Sequence, residues 1–295
     1  MGKASINNNS SDFKQTGTAY VVATPIGNLE DITLRALKIL REVDYILCED
    51  KRITSRLLNK YQMKTKLLVY HKFNEKKQLD FVLELLKNGK NIAIVSDAGT
   101  PLISDPGSLL ITELVKNNIN IFPIPGPSAL ISALSIYPYP LDEFLFVGFL
   151  PDAKLKREKL ISSFDGRAEN IVLYIAPHDL SKYISEIYSF YPNVKVFYAR
   201  EITKLYEESW SGNIKDLIAT LKNKRIKGEI VLCLYFPEEK NKVNQNVNEV
   251  ELLEKMKELV KKGNSLKVAS KTVSKEYDIS SNALYSLYLN KIEKN

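Results

Sequence analysis

Short apolar runs and segments of helical period alternate through the first 140 residues. AYVVA from Ala19, VDYILC from Val43, LLVY from Leu67, NIAIV from Asn91 and NIFPI from Asn120 have the length and β-branched content of strands. Each leads into a loop carrying Gly, Pro or acids, and then into a segment whose apolar residues recur every three to four positions. In DITLRALKILREV, Leu34, Leu37 and Leu40 share one face behind an Asp31 cap. The other helices are predicted around SRLLNKY after the loop EDKRIT, FVLELLKNG after HKFNE, SLLITELVKNN after SDAGTPLISDPG, and ALISALS after PGPS. This alternation predicts an α/β domain over residues 19–140, with a doubly wound parallel sheet and its ligand at the carboxyl ends of the strands.

A second block, residues 141–237, carries four strand candidates: FLFVGFLP, NIVLYIAPHDL, NVKVFYARE and GEIVLCLYF. Helical stretches such as KLKREKLISSF and DLSKYISEIYSF separate them, so a second α/β unit with a mixed sheet is expected. Residues 238–250 lack apolar periodicity and read as a linker. Residues 251–295 then predict two or three short helices with a helix-turn-helix outline, and residues 1–18 a disordered polar tail.

Composition narrows the classes. The 295 residues are 44% hydrophobic and 26% charged, which suits a globular chain of about two domains and not a disordered one. Two distant cysteines, Cys48 and Cys233, with only His71 and His178 beside them, argue against a disulfide framework or a metal site. Neither a secretory signal nor an apolar run long enough for a membrane span occurs, so a soluble cytoplasmic protein is expected. The net charge is +7, and from Glu254 onward nine lysines face five acids, a bias that suits a nucleic-acid partner.

The chemistry is first narrowed by exclusion. No two glycines lie two apart, so there is no GxGxxG fingerprint, and neither a P-loop nor a GxSxG elbow is present. What remains is a set of Gly and Pro loops, TPIGN, SDAGTPLISDPG and IPGPSALISALS, that let backbone approach a ligand closely. With Ser128 capping a helix whose positive end favours a carboxylate, such loops suit a small zwitterion such as an adenosyl amino acid.

Together these loops resemble the tetrapyrrole-methylase-like family of S-adenosylmethionine-dependent methyltransferases. The similarity runs from Tyr20 to about Phe236 through ATPIGNLEDITLRAL, CEDKRIT, HKFNE, VSDAGTPLISDPG, IPGPSALISAL, FLFVGFLP, PHDL and KGEIVL. Within the family it is strongest to members that methylate a cytidine 2′-oxygen of 16S rRNA, at cytidine 1402, in the small ribosomal subunit. The resemblance implies two α/β domains with S-adenosylmethionine in the cleft between them, and a homodimer. Carried over by position, the cofactor pocket would include Ile26, Gly27, Asp97, Gly99, Thr100, Pro125, Ser128 and Ala129, with Tyr174, Ile175, Ala199 and Glu229 from the second domain. Asp97 would hold the cofactor's amino group or ribose.

The chain departs from the family pattern at several places. Lys51 and Ile53 stand in a segment that usually reads Glu-Asp-Thr-Arg-His-Thr, Phe73 falls in a motif that usually has a second histidine, and Ile175, Ala176 and Asp179 surround Pro177 and His178. These changes are expected on the substrate side. A ribose hydroxyl is weakly acidic and needs a proton acceptor, which points to Glu49 and Asp50. Arg52 and Arg200 are expected as phosphate clamps, and His71, Asn74 and Glu75 as substrate positioners. The alternative is a methyltransferase of the same fold acting on a small molecule or protein, of tetrapyrrole or diphthine type; a further alternative is a non-enzymatic nucleic-acid-binding module using the C-terminal helices.

Overall fold

The computed structural model describes residues 16–222, 226–237 and 249–277, together with residues 281, 284, 285, 287 and 288. Five strand and helix pairs open the chain: β1 (Thr18–Val22) with α1 (Leu34–Glu42), β2 (Tyr45–Cys48) with α2 (Lys51–Lys60), β3 (Lys66–Val69) with α3 (Glu75–Lys87), β4 (Ile92–Ile94) with α4 (Ser108–Lys116), and β5 (Asn120–Ile124) with α5 (Ala129–Ser135). Their strands form an all-parallel sheet in the order β3-β2-β4-β1-β5. Helices cover both faces, so the central strands read as unbroken apolar runs. Ile46 and Cys48 point into the core under α1 and α2, with Leu40 and Leu57, while Leu47 faces Val82, Leu86 and Leu110 of α3 and α4.

The second unit contains β6 (Leu145–Phe149), α6 (Lys154–Ile161), β7 (Asn170–Ile175), α7 (Leu180–Phe190), β8 (Lys195–Arg200), β9 (Glu208–Asn213), α8 (Ile214–Leu221) and β10 (Ile230–Tyr235). Its sheet runs β6-β7-β10-β8-β9; β6 and β7 are parallel and every other pairing is antiparallel. The expected mixed sheet is therefore present. One face packs on α6, α7 and α8 through Ile161, Tyr183, Ile187 and Leu217. The other receives α5 from the first unit, whose Leu130, Ala133 and Leu134 meet Val172, Phe197, Val231 and Cys233. That shared core joins the two units behind the cleft described below.

Four local features differ from the sequence expectation. Helix α1 is capped by Thr33, whose hydroxyl accepts the Ala36 N–H at 3.1 Å, and not by Asp31, which lies in the short 3-10 turn before it. Strand β9, ESWSGN, falls outside the four strand candidates because its exposed alternate positions are Ser and Asn and only Trp210 is large and apolar. Helix α2 begins at Lys51, so Lys51–Thr54 form its first turn and not a loop; the Asp50 side chain accepts the Arg52 N–H at 2.8 Å and starts it. Helix α3 likewise begins at Glu75, six residues before Phe81.

Beyond Pro237, α9 (Glu249–Lys261) and α10 (Leu266–Tyr277) pack together with the helical residues Leu284 and Tyr288 around Leu252, Met256 and Val273. The expected tail at 1–18 and linker at 238–250 lie outside the described residues except at their inner ends, where Thr18 already opens β1 and Glu249 and Val250 already belong to α9. Among the described residues no helix is long and apolar enough to cross a membrane.

Candidate functional site

A cleft of about 470 Å³ opens where the carboxyl ends of the first sheet face the second unit. The position follows from topology: in parallel α/β sheets the helix connections leave the strand ends free to hold ligand. Ile26 enters after β1, Glu49 after β2, Asp97 to Asp105 after β4, and Ser128 and Ala129 after β5. From the opposite side come Phe149, the segment Tyr174 to Pro177, Glu201 to Lys204, and Glu229 to Val231.

Backbone bonds hold the first wall rigid. Thr24 and Gly99 exchange both N–H···O bonds, at 2.9 and 3.0 Å, tying the loop after β1 to the loop after β4. The Thr100 hydroxyl donates to the Pro127 carbonyl at 3.3 Å and joins the loop after β5. Gly99 has φ +79°, and a Cβ there would lie 3.3 Å from Ile26, so glycine serves both the turn and the close approach. Strain collects at the two walls: Leu102 and Ser104 on one, Glu201 and Thr203 on the other, are left-handed non-glycine residues. Each costs on the order of 1–3 kcal/mol, and such outliers persist where surrounding structure holds them.

The charge in the cleft is mainly acidic. Burial, then Asp105 and Asp97, pushes the Glu49 carboxyl up to about 7. Burial also raises Asp97 and Asp105, against hydrogen bonds from the Asp50 N–H and from Ser96 respectively. Across the cleft, burial would raise Glu201, but the Lys204 ammonium at 2.7 Å reverses the direction, and Lys204 also meets Glu229 at 3.2 Å. A cleft of this sign suits a cationic ligand and opposes a phosphate.

Of the positions expected at the cofactor, Ile26, Asp97, Gly99, Thr100, Ser128, Ala129, Tyr174, Ile175 and Glu229 line this one cleft. Gly27, Pro125 and Ala199 do not. Gly27 packs against Lys204, Pro125 is exposed, and Ala199 lies in the core beneath α5. The departures Ile175 and Ala176 line the cleft itself, not a separate substrate side.

The expected chemical residues separate. Glu49 faces the cleft. Asp50 instead caps α2 and grips the Arg52 guanidinium at 2.5 Å; Arg52, chiefly by that bond, holds it down at about 2. It therefore stays ionised and makes a poor proton acceptor. Arg52 remains 87% exposed, but Asp50 occupies its Nε and Nη2, so an anion from outside would share the guanidinium with that carboxylate. Arg200 is not free: its guanidinium binds Glu208 at 2.7 Å and the Lys227 carbonyl at 3.1 Å, which removes it as a phosphate clamp. Asn74 is consumed within its own loop, accepting from the His71 N–H at 2.8 Å and donating to the Val69 carbonyl at 3.0 Å. His71 and Glu75 stand beside it at the end of β3, outside the cleft lining.

Asp105, Glu201 and Lys204 line the cleft without having been singled out. The signal for Asp105 was within reach, because it sits in ISDPG of the same loop as Asp97. Among the described residues no group of three or more His, Cys, Asp or Glu is arranged to hold a metal ion.

The profile of the family described as Tetrapyrrole (Corrin/Porphyrin) Methylases matches residues 18–218. Curated relatives named ribosomal RNA small subunit methyltransferase I include one from Thermotoga maritima, 46% identical over 74% of this chain and 98% of its own length. Others come from Synechocystis, 38% identical over 92% of this chain and 98% of the relative, and Bacillus subtilis, 35% identical over 92% and 94%. Among solved structures, uroporphyrin III C-methyltransferase of Thermus thermophilus superposes with a TM-score of 0.54 at 14% identity, covering 74% of this chain and 97% of that one. A second structure of that enzyme, complexed with S-adenyl homocysteine, gives 0.53 at 16% identity over the same shares. At such identities these structures speak to the fold alone.

Proposed function

The chain belongs to the tetrapyrrole (corrin/porphyrin) methylase family, and from that premise we propose that it moves a methyl group from S-adenosylmethionine to a cytidine ribose 2′-oxygen of 16S rRNA, at cytidine 1402, in the small ribosomal subunit. Membership makes it a methyltransferase, and relatives 35–46% identical over 74–92% of the chain favour rRNA over a tetrapyrrole. A ribosomal substrate puts its work in the cytoplasm, and the family resemblance makes the working unit a homodimer.

The residues present fit the cofactor. The cleft volume lies in the range of small-molecule sites. Ile26, Ile103, Ile202 and Val231 offer apolar walls for an adenine, and Asp97, Asp105, Glu201 and Glu229 offer acceptors for ribose hydroxyls and an ammonium. When bound, S-adenosylmethionine supplies an electrophilic methyl carbon on a positively charged sulfur, which the acidic cleft favours.

Glu49 carries the reading. A carboxyl held near 7 is partly ionised around neutral pH, so Glu49 would take up the proton that a 2′-hydroxyl gives up on methylation. The proton stays on Glu49 until solvent removes it. Positioning supplies the rest: the cleft walls would hold the hydroxyl and the methyl donor together in one orientation. Arg52, exposed at the start of α2 close to Glu49 in sequence, is placed to meet an RNA phosphate.

The test is transfer of labelled methyl from S-adenosylmethionine to small subunits lacking the modification, with free rRNA and ribosomal protein as parallel acceptors and nuclease mapping of the label. Label on a cytidine 2′-oxygen of the subunit is expected. Label on a base, on protein or on none of the acceptors overturns the assignment and moves the small-molecule reading ahead.

A further inference from the structure

Among the described residues, five buried side-chain polar atoms have no hydrogen-bond partner, and three of them belong to one short connection: Tyr70 OH, His71 Nδ1 and Glu75 Oε1, between β3 and α3. Native proteins satisfy most buried polar groups, so three orphans in six residues call for an explanation. A slack loop is not one. The His71 carbonyl accepts both the Asn74 and the Glu75 N–H at 3.0 Å, and the Asn74 amide closes the turn from the other side. Tyr70 is only 4% exposed, and burial, with Glu75 close by, pushes its phenol pKa up.

Two neighbours of these atoms point to a ligand. Phe73 is 94% exposed, its ring held edge-on to His71 at 5.9 Å, which is an unusual expense of apolar surface on a polar loop. Lys72, Lys76 and Lys77 stand exposed on either side. An aromatic face, buried polar atoms and surrounding lysines are the ingredients with which proteins hold an unstacked RNA base and its phosphates.

We propose that the loop from Tyr70 to Glu75 reads the target base: a cytosine stacks on Phe73, its exocyclic amine donates to Glu75, and its remaining edge meets Tyr70 and His71. The inference rests on the ribose-methylation reading above and deepens it. A base with an exocyclic amine suits Glu75, because a carboxylate accepts and cytosine presents an amine where uracil presents a carbonyl; the choice of cytosine over adenine comes from the ribose-methylation reading. Location agrees as well. The Tyr70 N–H donates to the Cys48 carbonyl at 2.9 Å, so the loop leaves the sheet beside the strand that leads into Glu49. A nucleotide with its base on the loop would have its ribose on the side of Glu49.

Fluorescence anisotropy of the full chain, saturated with S-adenosylhomocysteine, on two labelled single-stranded RNA 12-mers tests this: U12, and the same strand with one central cytidine. The wild type is expected to prefer the cytidine strand by about 10- to 100-fold. Glu75→Gln, isosteric and able to present a donor, should bring that ratio close to one with U12 binding unchanged. Phe73→Ala, at an exposed position, should weaken both strands by about 10-fold while keeping the ratio. Cofactor-product affinity should not move in either variant. Absence of a cytidine preference in the wild type, or its survival in Glu75→Gln, overturns the proposal. If methyl transfer to subunits fails while the preference and its loss in Glu75→Gln persist, base reading stands and the acceptor assignment falls instead.

Discussion

Gly27 and Lys204 meet across the cleft mouth so closely that a Cβ on Gly27 would lie 2.3 Å from the Lys204 Cγ. The contact joins the loop after β1 to the left-handed turn after β8, and the Asn28 N–H donates to the Thr203 hydroxyl at 3.1 Å beside it. Lys204 reaches past Gly27 to Glu201 and Glu229, so glycine here makes room for the ion-paired wall of the cleft.

Gly27→Ala should therefore displace Lys204 and loosen the acidic wall. Overpacking of this kind costs about 1–3 kcal/mol. The expected result is a thermal midpoint lower by several degrees together with weaker S-adenosylmethionine binding in calorimetry. Binding unchanged despite a lower midpoint would mean that the Gly27 contact serves stability alone.

Glu49 should govern pH dependence. Its folded pKa of about 7 lies above the ordinary 4.5, so the folded chain keeps a proton that the unfolded chain has released. The associated stability is complete below about 4.5 and is lost as pH rises through 7, on the order of 1 kcal/mol after solvent screening. Methyl transfer needs the ionised form and should rise over the same interval. Glu49→Gln should abolish the stability slope and lower kcat by about 100- to 10,000-fold. Asp50→Asn should leave the pH limb near 7 in place, since Arg52 already keeps Asp50 ionised. Thermal scans and kcat profiles from pH 5 to 9 on the three proteins decide the matter.

Arg157 offers a stability test away from the cleft. Only 1% exposed, its guanidinium makes paired bonds to Glu186 at 2.6 and 2.8 Å, bonds the Pro151 and Asp152 carbonyls, and lies over Tyr183. Arg157→Ala should cost about 3–5 kcal/mol, because Glu186 is left without its partner. An Arg157→Met, Glu186→Leu pair should recover most of that loss in denaturant titrations. Failure of the pair to recover it would show that the carbonyl bonds, not the ion pair, hold α6 in place.

The C-terminal helices have their own apolar core and expose Lys257, Lys261, Lys267 and Lys271. A chain ending at Pro237 is expected to bind S-adenosylhomocysteine normally and rRNA about 10-fold more weakly, with a shallower salt dependence. Equal rRNA affinity with and without residues 238–295 would remove the helices from substrate binding.

The period of apolar residues by itself determined the order of strands and helices through NIFPI and ALISALS, because buried parallel strands and amphipathic helices leave distinct local patterns. The loops TPIGN, SDAGTPLISDPG and PGPS were equally legible, since glycine and proline mark turns whatever lies around them. Strand β9 was not, because an exposed edge strand owes its conformation to pairing with β8 and not to its own side chains. The roles of the charged residues also lay beyond the sequence. Glu49 and Asp50 are adjacent carboxylates of similar intrinsic acidity, yet one is lifted to about 7 and the other held at about 2. Arg200 looked like an anion clamp until β9 brought Glu208 beside it. Burial and the nearest charge set these differences, and both depend on strands far apart in sequence coming together, so only the tertiary structure could decide them.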